Sequence, residues 1–187
     1  LATLLADTGL KPDAVLMSTE RFTAHETVSQ GSVIVDGSEN ASVQYATCCR
    51  PVPGDAIVGY LGRGEGLVVH TDQCGVAQRL KYKDSERFIA VEWAEEPTRA
   101  FEVAVVVTVS NGKGVLARVA SAITSAEADI THVLMADEVS GREEATDLRF
   151  IFTVRDTTHL ETVLGNLRRV PAVLQAHRVI SGVGREA

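Results

Sequence analysis

No apolar run in this 187-residue sequence approaches the roughly 20 residues of a membrane-crossing helix or the core of a signal peptide. None of these residues is expected to form a membrane-crossing helix, and the expected compartment is the cytoplasm. Cysteine is scarce: three residues, an odd number, argue against a disulfide framework and for metal or redox chemistry. Positive charge is short too. Lys and Arg number 18 against 25 Asp and Glu, a formal charge of −7. Bulk electrostatics therefore attract neither DNA nor RNA, and any RNA contact needs a local basic patch. Also missing are a phosphate loop leading into a helix and lysine, a paired His/Asp cluster for metal-assisted hydrolysis, and a nucleophile with a base at hand. No catalytic site is expected in these residues.

What is present is ordinary for a globular chain: 45% hydrophobic and 23% charged residues, enough for two small cores. Residues 1–17 read as an interrupted helix punctuated by Gly9 and Pro12. Its leucines need a partner surface from elsewhere, so a fragment of a longer protein is expected. Residues 18–31, with His25, show neither helical nor strand period and read as a linker. From 32 to 95 short β-like runs appear: Val33 to Val35, Ser42 to Tyr45, Ala56 to Tyr60, Gly66 to His70 and Arg87 to Val91, with a short helix from Cys74 to Leu80. This first unit is mixed α/β and ends near Glu95-Glu96-Pro97.

Residues 98–187 alternate β and α periods in the order βαββαβ. Strand one, Phe101 to Val109, is apolar on both faces, as in a central strand. Helix one spans about Val115 to Ala128 with a stripe of Leu116, Val119, Ala120 and Ile123. Strand two is Ile130 to Ala136, and strand three is Leu148 to Val154, joined by a polar hairpin over 137–146. A capping box at Thr158-His159-Leu160-Glu161 starts helix two, which Pro171 stops. His159 is expected on its surface. Strand four is Val173 to Ile180, with His177 on an edge. The chain is thus α+β, its second unit a ferredoxin-like sandwich with both helices on one face.

Cys48, Cys49, His70 and Cys74 carry the chemistry. Three thiolates and an imidazole complete a closed tetrahedral zinc site. His70 and Cys74, four apart, share a face if both lie at a helix start. Adjacent Cys48 and Cys49 point apart in an extended chain, so both reach one ion only where the chain bends, as Pro51 to Gly54 would arrange. Three readings stay open: a structural metal site, small buried hydrophobes around a core histidine, and a redox pair among the cysteines. Gly62 to Gly66, between two β-like runs, reads as a hairpin turn.

The run Cys48-Cys49-Arg50-Pro51-Val52-Pro53-Gly54-Asp55, followed by Gly62-Arg63-Gly64-Glu65-Gly66 and His70 with Cys74, resembles the conserved-cysteine (zinc-finger) domain near the C-terminus of RelA/SpoT homologues. The resemblance covers nearly everything after residue 32 and implies that the second unit is an ACT domain. Family members often carry Asp directly before the last cysteine. Here that position is Gln73 and the acid is Asp72, which puts any role of that acid in doubt.

In ACT domains the loop from strand one to helix one often binds an amino acid, commonly at a dimer interface. The resemblance places such a site at Asn111, Gly112, Gly114, Val115 and Leu116, with Ile130 or His132 nearby. Free helix-terminal amides would hold the carboxylate, and aliphatic neighbours suit a branched-chain amino acid. The whole enzymes of the family transfer pyrophosphate from ATP to GDP or GTP, and many hydrolyse (p)ppGpp with manganese; the implied Mg or Mn belongs to domains absent here.

The expected role is regulation of upstream catalytic domains in the stringent response. Two alternatives stand beside it. One is ribosomal RNA docking through Arg50, Arg63, Arg79, Lys81 and Lys83, which are interleaved with Asp55, Glu65, Asp72 and Asp84. The other is homodimerisation through the ACT unit.

Overall fold

A computed structural model describes residues 32–39, 42–135 and 145–181. The helix expected over 1–17, the linker over 18–31 and most of the 137–146 hairpin lie outside the described residues. The first set of β-like runs becomes β1 (Val33–Val35), β2 (Val43–Tyr45), β3 (Ile57–Gly62), β4 (Gly66–Thr71) and β5 (Phe88–Trp93), with helix α1 (Gly75–Lys83) between β4 and β5. They form one mixed sheet in the order β1-β5-β3-β4-β2, with β1 parallel to β5 and β2 parallel to β4. The glycine-rich stretch is the β3–β4 hairpin turn, with Gly62 opposite Gly66. Gly66 has φ 78°, and a Cβ there would lie 2.2 Å from the Ser42 carbonyl oxygen, so only glycine fits. Val35, Leu67, Val69 and Val91 form the small core of this unit.

The second unit contains β6 (Phe101–Ser110), α2 (Val115–Thr124), β7 (Asp129–Met135), β8 (Ala145–Val154), α3 (Thr157–Arg168) and β9 (Val173–Arg178). Its antiparallel sheet has the order β7-β8-β6-β9, so β6 is interior and its two apolar faces are accounted for. Val103, Val105, Val107 and Val109 meet Phe150, Phe152 and the stripes of both helices, while Ala104 is buried on the opposite face. Both helices thus cover one face, as the sandwich requires.

Three details depart from the sequence reading. Helix α2 stops at Thr124; the following residues turn, with Glu127 at φ 61°. Its buried stripe is Val115, Val119 and Ile123, whereas Leu116 is turned outward and 43% exposed. Helix α3 starts at Thr157, capped by the Asp156 carboxylate, which accepts the His159 N–H at 2.7 Å. The expected box at Thr158 and Glu161 is displaced because Asp156 caps equally well and the Thr157 N–H is already donated to the Pro53 carbonyl at 2.9 Å.

That shift explains His159, which is buried and not on the surface. Its Nδ1 accepts the Arg155 N–H at 3.2 Å, so Nε2 carries the proton and donates to the Ala126 carbonyl at 2.6 Å. The imidazole ties the first turn of α3 to the end of α2.

The two units share packed surface. Val52 belongs to the second core, and Tyr45, Trp93 and Phe101 form an aromatic cluster across the junction, with ring centroids 5.1 to 5.7 Å apart. Arg99 lies over Tyr45 and Phe101 at 5.3 and 5.1 Å.

His159→Ala should leave the Ala126 carbonyl without its imidazole partner and lower stability by about 1–3 kcal/mol, read as a shift in urea midpoint. A midpoint within error of wild type would contradict the role given to this imidazole.

Candidate metal centre

The four predicted ligands converge, by a different local route from the one the sequence suggested. His70 lies in strand β4 and Cys74 is the N-cap residue of α1, with backbone at φ −66° and ψ 120°. They do not share a helix face; the turn at Asp72 and Gln73 brings them together. Both turn residues are exposed, and Asp72 is not among the converging groups.

Cys48 and Cys49 sit in a tight turn, where the Arg50 N–H donates to the Ala46 carbonyl at 2.8 Å and the Cys49 N–H to the same oxygen at 3.4 Å. Arg50 then takes φ 44°. A helix-like turn sets successive side chains about 100° apart, not opposite as in a strand, so adjacent cysteines can reach one point. The bend therefore lies at 46–50, ahead of the prolines.

Cys48 Sγ is 4.0 Å from Cys49 Sγ, 3.5 Å from Cys74 Sγ and 3.5 Å from His70 Nδ1. Cys49 Sγ is 3.8 Å from the same nitrogen, and all four ligand atoms lie within 4.8 Å of one another. Tetrahedral zinc with bonds of about 2.3 Å to sulfur separates its sulfurs by about 3.8 Å, so the residues fit such an ion. The Thr71 N–H donates to Cys49 Sγ at 3.4 Å, a contact suited to a thiolate. All three cysteines are free thiols, and Cys48 alone is partly exposed.

Electrostatics sharpen the chemistry. Burial, then repulsion from Cys49, pushes the Cys48 thiol up to about 12 from 9.0. Burial also raises Cys49 and lowers His70. Without a cation, burial favours the protonated thiols of Cys48 and Cys49 and the neutral imidazole of His70. A dication reverses the penalty on the thiolates and displaces their protons.

The other predicted site is not assembled within one chain. Asn111 follows β6 and its Oδ1 accepts the Thr146 hydroxyl at 2.6 Å; Gly114, at φ 72°, is the N-cap residue of α2. Gly112 is exposed beside this turn, Val115 is buried and Leu116 faces outward. Ile130 and His132 sit at the opposite end of the sheet, opposite Phe152 and Ile151, which in turn pair with Val103 and Ala104. Seven or more strand residues separate that level from Asn111, on the order of 20 Å, so these two residues are not near the loop of their own chain.

Of the predicted basic residues, Arg50 is committed to the domain junction through an ion pair with Glu102. Arg63, Arg79, Lys81 and Lys83 are exposed, and Tyr82 among them is 94% exposed.

Sequence reasoning missed two features. Arg178, the last residue of β9, donates to both Asp55 carboxylate oxygens at 2.8 and 2.6 Å and to the Arg50 carbonyl at 2.8 Å. A cleft of about 300 Å³ at the domain junction is lined by Tyr45, Arg50, Arg99, Phe101 and Glu102. Neither has a motif, since the partners are distant in sequence.

The shifts on Cys48 and His70 predict a bounded stability window for metal-free protein. Cys48 is raised in the fold, so its contribution is present below 9.0 and lost as pH climbs toward about 12. His70 is lowered, so its contribution is present above 6.5 and lost as pH falls below that value. Urea midpoints should peak between these limits. Added zinc should abolish the alkaline fall and steepen the acid one; an unchanged alkaline limb with zinc would refute thiolate ligation.

Comparison with known proteins agrees with this architecture. The family model for the RelA/SpoT RIS domain matches residues 33–94, and that for the ACT domain matches residues 97–178. The bifunctional (p)ppGpp synthase/hydrolase SpoT of Escherichia coli is 33% identical over 152 residues, 81% of this chain and 21% of the relative. The GTP pyrophosphokinase of Streptomyces coelicolor is 35% identical over 149 residues, 80% of this chain and 17% of the relative. The bifunctional (p)ppGpp synthase/hydrolase RelA of Mycobacterium tuberculosis is 34% identical over 149 residues, 80% of this chain and 20% of the relative. The chain thus spans about a fifth of the length of these relatives. With a double-cysteine RIS domain followed by an ACT domain, it belongs to the RelA/SpoT family and is homologous to the C-terminal region of those enzymes.

Proposed function

We propose that this chain is the regulatory region of a (p)ppGpp synthetase/hydrolase, in which a zinc-held RIS domain and an ACT domain act as one body that biases catalytic domains elsewhere in the protein. The observation that carries this reading is the interlock between the domains. Val52 enters the ACT core, Arg178 closes on Asp55, and Thr157 binds the Pro53 carbonyl. A signal received by either domain moves the other, because the shared surface is packed and its charges are paired.

The input is a branched-chain amino acid bound between two copies. The start of α2, which no side chain caps, supplies a carboxylate site, and Asn111 and Leu116 flank it. Strand β7 is a sheet edge with Val133, Leu134 and Met135 exposed, which suits antiparallel pairing with a second β7. Such pairing sets the Ile130 end of one strand beside the Met135 end of the other. Ile130 and His132 then approach the partner's Asn111 loop, which they do not reach in their own chain.

A second reading, docking on ribosomal RNA, is favoured by α1. Arg79, Lys81 and Lys83 make no ion pair among the described residues, and Tyr82 beside them offers a bare ring for base stacking.

Titration calorimetry with valine, isoleucine and leucine should give saturable heat, accompanied by a concentration-dependent dimer in light scattering. No heat with any of the three retires the amino-acid input. In the intact enzyme, Cys74→Ala should change the ratio of (p)ppGpp synthesis to hydrolysis while both reactions persist; an unaltered ratio counts against regulation through the RIS domain. For the RNA reading, Lys81→Glu with Lys83→Glu should weaken salt-sensitive ribosome co-sedimentation, and equal binding by the double variant removes α1 as the contact.

A further inference from the structure

The four ligands of the candidate metal centre come from two segments, the turn carrying Cys48 and Cys49 and the β4–α1 junction carrying His70 and Cys74. A third segment, from the ACT domain, lies across both. Just past β9, the Val179 N–H donates to the Ala104 carbonyl of β6 at 2.8 Å, the last backbone bond of this strand to the ACT sheet. The chain then crosses to the RIS domain. Ile180 packs against the cluster formed by Cys49, Cys74, Ala46 and Ala77. The Ser181 N–H donates to the Cys48 carbonyl at 2.9 Å, and the Ser181 carbonyl accepts the Gly75 N–H at 2.7 Å. One peptide group on each side of Ser181 therefore holds one ligand-bearing segment: the residue that supplies Cys48 Sγ, and the residue directly after Cys74.

The other flank of the double-cysteine turn is gripped by the same strand. Arg178 donates to the Arg50 carbonyl while paired to Asp55, and Asp55 in turn accepts the Val52 N–H at 2.8 Å. Asp55 and Arg178 are 13% and 12% exposed, so this grip is shielded from solvent. The backbone of Cys48 to Arg50 is thus fixed at both ends by Arg178 and Ser181. Because Arg50 takes φ 44°, an uncommon conformation for a residue with a Cβ, the turn depends on such external bonds to stay in the form that aims both thiols at one point.

We propose that Ser181 is a positioning residue for the metal centre, so that cation binding by the RIS domain and seating of the terminal ACT strand are thermodynamically coupled. The proposal rests on the reading that Cys48, Cys49, His70 and Cys74 hold zinc. With the strap seated, the two ligand segments are held in register before the ion arrives, and less ordering remains to be done on binding. With the strap released, the Cys48 carbonyl and the Gly75 N–H lose their partners and the segments are free to separate. Linkage makes the effect mutual: whatever the strap adds to zinc affinity, zinc adds to strap seating. An ACT ligand or partner that shifts β9 would change metal affinity, and loss of metal would loosen the end of β9.

The test has two arms. Zinc affinity is measured by competition with a chromophoric chelator for wild type, Ser181→Ala, Ser181→Pro and Arg178→Gln. Ser181→Ala keeps the peptide bonds and should bind like wild type, whereas Ser181→Pro removes the N–H that meets Cys48 and should weaken zinc at least tenfold. Arg178→Gln should weaken it in the same direction. In the second arm, amide exchange on wild-type protein is compared with zinc and after chelation. Chelation should speed exchange at Val179 and Ser181 at least tenfold and leave the β6–β8 pairing unaffected, an arm that needs no variant to fold.

Zinc affinity unchanged in Ser181→Pro, or exchange at Val179 and Ser181 indifferent to zinc, overturns the coupling, because reciprocity demands both effects. If wild type binds zinc tightly and Ser181→Pro and Arg178→Gln match it, only this inference fails. If wild type takes up no stoichiometric zinc, the metal reading fails and this inference falls with it.

Discussion

The Arg178–Asp55 pair joins residues 123 positions apart and closes the two domains on each other. Each partner is nearly buried, so each is costly to leave alone, and the pair is supported by further local bonds, although the buried Arg178 Nε has no partner among the described residues. Asp55 accepts the Val52 N–H, its carbonyl takes the Trp93 indole N–H at 3.1 Å, and Arg178 also reaches the Arg50 carbonyl. The segment from Arg50 to Asp55 is consequently a rigid wedge. Its apolar tip, Val52, sits in the ACT core, and its start is the double-cysteine turn.

From that constraint the geometry of the cysteine site follows. Neighbouring thiols converge because the backbone coils at 46–50, and the coil is held from outside by an ACT strand. The ligand atoms are close enough for one tetrahedral ion, and burial makes bare thiolates unfavourable. A cation resolves that conflict more completely than protonation does, since it also fixes the two ligand segments to each other. The cleft lined by Arg99, Tyr45 and Phe101 also takes Arg50 and Pro51 into its wall, so the segment that starts at the candidate metal centre borders a solvent-facing groove at the junction.

The ACT loop obeys a different logic. Its glycines and the start of α2 stand at one end of β6, while Ile130 and His132 stand at the other. A single chain cannot bring them together because strand length, not loop flexibility, sets the distance between them. The edge strand β7 exposes Val133, Leu134 and Met135, the apolar side chains on which the proposed pairing of two copies rests.

Much of this was legible in order along the chain. Alternation in β6 and β8, the spacing of Val119 with Ile123 and of Leu160, Val163, Leu164 and Leu167, and the glycine turn at 62–66 are local patterns; periodicity with the right-handed crossover rule gave the βαββαβ sandwich, and residue chemistry picked out Cys48, Cys49, His70 and Cys74 as metal-ligating candidates. Local pattern failed where two segments compete for one group: Asp156 displaced Thr158 as cap because Pro53 claims Thr157, and His159 turned inward with it. The positions of His70 and Cys74 on separate elements, the coil at Cys48 and Cys49, the separation of Ile130 from Asn111, and the grip of Arg178 and Ser181 were decided only by tertiary structure. Each depends on a hydrogen bond or packing contact between residues far apart in sequence, and no property of either residue alone specifies its partner.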